Sequence, residues 1–128
     1  MKRRVLVGMV VAVLLAVGIL AVRLYRKSVA CKQRGKAYAA RVDALKRDVH
    51  AQLKIGTRKD ALIRFFAEHY IPITFYQDRT ASGTIYTTGC APFGCGADTG
   101  LISLRVGVDA SGTVVSEPSV GALYTDCL

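Results

Sequence analysis

Three regimes of hydrophobic patterning succeed one another along the chain. Val5 to Val22 is an unbroken run of eighteen apolar or glycine residues, which as a helix reaches about 27 Å, close to the hydrocarbon thickness of a bilayer. In lipid every backbone N–H and C=O needs an internal partner, so the run is expected to be a membrane-spanning helix. Next, Tyr38, Val42, Leu45, Val49 and Leu53 recur at helical spacing among charged residues, the pattern of an amphipathic helix. Only Gly35 obviously interrupts the chain between the two, so they are expected to run on as one rod.

Ile55-Gly56 is expected to close that rod, because glycine readily takes the left-handed conformation that ends helices. Thr57 and Asp60 have the spacing of a capping box opening a second helix, with Leu62, Phe65, Phe66 and His69 on one face. Pro72 disfavours helical geometry at Ile71, so the end falls near Tyr70. The period then drops to two. Ile73–Gln77 and Thr84–Thr88 read as a hairpin around a turn at 78–83, and Leu101–Val108 as a strand burying Ile102, Leu104, Val106 and Val108. Asp109-Ala110-Ser111-Gly112 turns the chain back into Thr113–Glu117, which Pro118 ends. The expected fold is α+β: a transmembrane helix, then two helices packed on an antiparallel sheet of three or four strands. Its divisions are an anchor with basic flanks (1–27), a basic stem helix (28–54) and a small α+β domain (55–128).

Charge sharpens this division. The formal net charge is +9, but residues 1–59 hold 15 Lys or Arg against two acids, and residues 60–128 hold three Arg against seven acids. The distal domain therefore lacks the clustered cations that displace counterions from phosphate, and no nucleic-acid partner is expected. Three cations separate the apolar run from Ser28-Val29-Ala30-Cys31, and Ser28 stands where a lipoprotein site has Leu, so an uncleaved signal-anchor is expected. Orientation draws on opposing signals. Arg23, Arg26, Lys27, Lys32, Arg34 and Lys36 outnumber Lys2, Arg3 and Arg4, which by the positive-inside rule favours a cytoplasmic head. Three cysteines in so small a domain favour an oxidising compartment, where one bridge contributes about 2 to 4 kcal/mol. The reading taken is a plasma (inner) membrane protein with its head outside the cytoplasm. Gly8, Ala12 and Ala16 form a small-residue stripe that would allow a homodimer within the bilayer.

The candidate chemistry gathers in the loop from Gly89 to Gly100. Cys90 and Cys95, with Cys127, are disulfide candidates, and Cys31 is available for the remaining cysteine. Reduced structural thiols, or a zinc site completed by His69, are the other uses open to them. The Cys-x4-Cys spacing is not a thioredoxin-type motif. Pro92 and Phe93 at the loop tip are candidate protein-binding residues, an aromatic on a rigid loop. His50 and His69 stand in no recognisable catalytic motif, and Asp78, Asp98, Asp109 and Asp126 suit turns and the tail, so neither an enzyme nor a cofactor is expected.

Leu53-x-Ile55-Gly56-Thr57-x-x-Asp60-Ala61-Leu62, with two helices ahead of a meander, resembles the SmpA/OmlA (BamE-like) family of small envelope lipoproteins over about residues 40–117. The resemblance implies a non-catalytic envelope domain that binds other proteins. Two departures stand: Glu68-His69-Tyr70-Ile71-Pro72 replaces the family's Leu-Gly-x-Pro turn, and a spanning helix replaces the lipid-bearing cysteine. The function expected is therefore that of a single-pass membrane-anchored domain acting by protein–protein interaction in the envelope. A cysteine-based metal-binding or redox-sensing protein, and a cytoplasm-facing anchored domain, are the alternatives.

Overall fold

The computed structural model describes residues 2–91 and 98–125. Helix α1 (Lys2–Gln52) is continuous, as the absence of a breaker before Ile55 suggested, and it passes through two compact units, Met1–Gln33 and Arg34–Leu128. In the first unit its side chains from Leu6 to Ala30 are exposed all round. The helix is long and apolar enough to cross a membrane. Gly8, Ala12 and Ala16 lie on that exposed surface.

The second unit is an α+β layer. After α1 come α2 (Lys59–Glu68) and four strands, β1 (Thr74–Phe75), β2 (Thr80–Thr88), β3 (Thr99–Gly107) and β4 (Ser119–Tyr124), which form an antiparallel meander in the order β1-β2-β3-β4. Tyr38, Val42, Leu45, Val49 and Leu53 of α1 are all buried, together with Leu62, Phe65 and Phe66 of α2. They pack on Ala81, Ile102, Leu104 and Val106 of the sheet, and on Val108 and Val114 beyond it. Helical and strand periodicities thus converge on one core, and both helices lie on one sheet face.

The boundaries depart from the sequence expectation in four places. First, α1 ends at Gln52 rather than at Ile55; Gly56 does take positive φ (92°), in a turn whose N–H donates to Val114 O. Second, no capping box forms at α2. The N-cap is Arg58, no side chain caps it, Thr57 Oγ1 accepts from Lys54 N, and Asp60 pairs with Arg58 at 3.3 Å. The hydroxyl thus closes the inter-helix turn instead of opening the next helix. The far end is a Schellman closure, with Ile71 N donating to Phe66 O, Tyr70 N to Ala67 O, and Tyr70 at φ 56°.

Third, the β1–β2 turn is tight. Arg79 N donates to Tyr76 O, Asp78 Oδ1 accepts from Thr80 N, and Arg79 takes φ 60°, so β2 starts at Thr80 instead of Thr84. Fourth, residues 113–117 are not a strand. Val114 makes an isolated bridge with Val108, and the last strand comes after Pro118, as β4.

The turn at Asp109 forms as its sequence predicts. Its Oδ1 accepts from Ser111 N (2.9 Å), Ser111 Oγ (2.6 Å) and Thr113 N (2.9 Å), and Gly112 takes φ 84°. These donors, the Ser111 hydroxyl foremost, hold the Asp109 carboxyl below its ordinary value of 3.8. The folded state therefore binds this proton less readily than the unfolded chain, and the stabilisation is present above 3.8 and lost as pH falls through the folded value. Melting temperature measured against pH should show Asp109→Ala less stable than the parent at neutral pH, the two curves converging in acid.

Candidate protein-binding groove

The end of α1 and the start of β4 enclose an open groove of about 880 Å³. Two features of the chain create it. Tyr38 anchors the helix at the far end of β4, its hydroxyl donating to Leu101 O (2.9 Å) and Leu123 O (3.2 Å) while its ring packs on Tyr124 at 4.9 Å between centroids. Burial, with Tyr124 alongside, raises the Tyr38 phenol above its ordinary 10.0, so it stays a neutral donor. At the near end the chain arrives through Glu117-Pro118 instead of pairing with β3, which leaves space beneath the last turns of α1.

The groove is apolar within and cationic along one wall. Val49, Leu53 and Val120 contribute apolar surface, extended by Ile55, which is 66% exposed. Lys46 and His50 on the last turns of α1 and Lys54 just past its end line the groove, all exposed, and Glu117 supplies a carboxylate. Asp48 lies elsewhere on α1, its Oδ2 3.8 Å from Nε2 of His69. Lys46 and Lys54 thus face a single carboxylate, Glu117, among the lining residues.

The residues singled out from sequence fare differently. Cys31 and Cys90 are both engaged in disulfide bonds, and no described cysteine is free. Cys95, Cys127, Pro92 and Phe93 lie outside the described residues. His69, weighed as a zinc ligand, instead packs on Phe65 at 4.3 Å and faces Asp48, and Cys90 in a disulfide is no thiolate. Asp98 meets Arg34 at 3.3 Å in an exposed pair that contributes little to stability. Asp78 and Asp109 serve turns, as expected. The groove joins the end of α1 to the start of β4, which no local sequence pattern brings together; of its charged residues, Lys46 and Lys54 belong to the basic stem stretch of the sequence.

Comparison of the chain with protein-family models, with curated proteins and with solved structures found no match. The groove's chemistry is accordingly read from its own residues.

Proposed function

We propose that this chain is a single-pass plasma-membrane protein whose extracytoplasmic head acts by binding another protein in the groove between α1 and β4, without catalysis. The groove carries the reading, because an apolar floor with exposed Ile55 beside a charged rim is the composition of a recognition surface. The anchor is supported by the exposed apolar length of α1. The outward position of the head is supported by the disulfide bonding of Cys31 and Cys90, which persists in oxidising compartments. The order of two helices before an antiparallel sheet also supports a SmpA/OmlA-like domain, while the unformed capping box removes part of the pattern behind that resemblance.

A photo-activatable cross-linker in place of Ile55, irradiated in intact cells, should give one discrete protein adduct, with none from the same group at Ile63 on α2. In the same cells a membrane-impermeant thiol reagent should label the chain only after reductant. No adduct from Ile55 would sink the binding reading, and thiols reached only after the membrane is broken would place the head inside. The inside placement is the second reading, favoured by the six cations between Arg23 and Lys36.

A further inference from the structure

We propose that the apolar part of α1 carries a site for one anionic glycerophospholipid, whose phosphate is held by Arg23 and Arg26 while an acyl chain lies along the helix in a notch at Gly18. This rests on the reading of α1 as a membrane span and goes beyond it by naming a lipid ligand; the groove on the head takes no part.

The first observation is the shape of the helix surface. Leu14, Gly18, Val22 and Arg26 stand at four-residue intervals within α1, and Ile19 and Arg23 lie beside them in the adjacent row. Residues four apart on a helix are neighbours on one face. The two rows line an open groove of about 440 Å³, and every residue from Leu14 to Arg26 is exposed. Gly18 creates the notch. Lacking a side chain, it leaves a gap between Leu14 and Val22, and among the described residues nothing stands within 4 Å of where its Cβ would lie.

The second observation is charge at a fixed depth. From Leu14 to Val22 the groove is apolar over a rise of about 12 Å, and it then ends in two guanidinium groups. Arg23 follows the apolar run directly and Arg26 stands about 5 Å further along the axis, so both fall in the headgroup layer, about 5 to 7 Å thick on each side of the hydrocarbon. Helical side chains lean back over the preceding turn, which carries both arginines toward the groove. Arginine presents a planar set of donors that matches phosphate oxygens. Among the described residues neither guanidinium pairs with a carboxylate, and the first acidic residue of the sequence is Asp43. Lipid tails are as apolar as the groove, so the notch adds van der Waals contact while preference among lipids comes from the headgroup. A zwitterionic headgroup would set its own cation beside the arginines, whereas an anionic one brings only the complementary charge. A parallel second copy packed on this face would bring four guanidinium groups together, which disfavours it as the occupant.

The test uses the full chain in detergent micelles, titrated with dioleoyl phosphatidylglycerol or dioleoyl phosphatidylcholine and read by native mass spectrometry. One phosphatidylglycerol should bind about tenfold or more tighter than phosphatidylcholine. Arg23→Gln/Arg26→Gln should abolish that preference. Arg3→Gln/Arg4→Gln, the same change at the other end of the apolar run, should leave it unaltered, as those residues do not line the groove. Gly18→Leu fills the notch, for which the helix has room, and should weaken phosphatidylglycerol binding about fivefold or more with both arginines intact. Soluble glycerophosphoglycerol, the headgroup without its tails, should not displace the lipid. Equal losses from both arginine pairs, indifference to Gly18→Leu, displacement by the soluble headgroup, or no preference for phosphatidylglycerol would each overturn the proposal. A chain that binds no lipid and forms a dimer lost on Gly18→Leu would give the groove to a second copy, and would overturn it likewise. A chain that stays in solution once detergent is removed would remove the span beneath the proposal, whereas one that inserts into vesicles without preferring phosphatidylglycerol would remove the lipid site alone.

Discussion

Gly83→Ala is expected to unfold the head at growth temperature. Gly83 lies on β2 opposite Leu104, on the face covered by the helices, where the chain leaving α2 crosses the sheet. A Cβ there would collide with the Pro72 carbonyl oxygen, stand 2.6 Å from Ile71 Cγ2 and meet Phe66 Cε1 at 3.1 Å. The collision with Pro72 is with backbone, which no rotamer change relieves. Ile71 and Phe66 are buried core residues, 3% and 0% exposed. Overpacking in closed cores typically costs about 1 to 3 kcal/mol, and a clash with backbone lies at or above the upper end of that range. For a domain of this size each kcal/mol moves the melting temperature by about 4 to 8 °C, so a fall of roughly 12 °C or more is expected in thermal unfolding followed by circular dichroism. Trimming Ile71 to alanine in the same chain should recover little, because the carbonyl remains. A Gly83→Ala variant melting within a few degrees of the parent would show that the Ile71-Pro72 crossing is looser than described.

Gly100→Ala is expected to cost nearly as much, by a different and repairable route. The added Cβ would strike the Tyr38 ring, lying 2.8 Å from both Cδ2 and Cζ. Tyr38 is 8% exposed, and its hydroxyl is held by Leu101 O and Leu123 O, so the ring gives way only by surrendering those bonds and its packing on Tyr124. A loss of about 2 to 3 kcal/mol is expected, combining overpacking with a weakened hydrogen bond that the single hydroxyl proton shares between two carbonyls. Here the obstruction is a side chain. Combining Gly100→Ala with Tyr38→Leu should therefore destabilise by less than the sum of the single changes, a coupling of about 1 kcal/mol or more in a double-mutant cycle. Strict additivity would show that the ring and the glycine are not in contact.

The elements that were legible in the chain share one property: their signal is local. The continuous helix follows from an apolar run and an amphipathic stripe with only Gly35 as an interruption between them, and the five stripe residues from Tyr38 to Leu53 are all buried. The inward face of β3 and the Asp109 turn follow from alternation over a few residues and from a carboxylate facing nearby N–H groups. The misread boundaries are places where two local solutions compete. Thr57 could cap α2 or close the turn after α1, and the contact of Gly56 N with Val114 O, from distant chain, accompanies the second. Residues 113–117 alternate as well as many strands do, yet the bridge between Val108 and Val114 leaves the remaining ladder of β3 to β4.

By itself, then, the chain determined an apolar N-terminal helix, a basic stem continuous with it, and an α+β head with its core stripe, because period and composition act between near neighbours. Only tertiary structure decided that the final strand lies beyond Pro118, that Tyr38 bonds to Leu101 and Leu123, and that the end of α1 borders a groove with Glu117, Pro118 and Val120. The Tyr38 bonds join residues more than sixty positions apart and the pairing of β4 with β3 also joins separate stretches of chain, and the spacing of residues along a chain carries no information about which distant backbone will lie beside them.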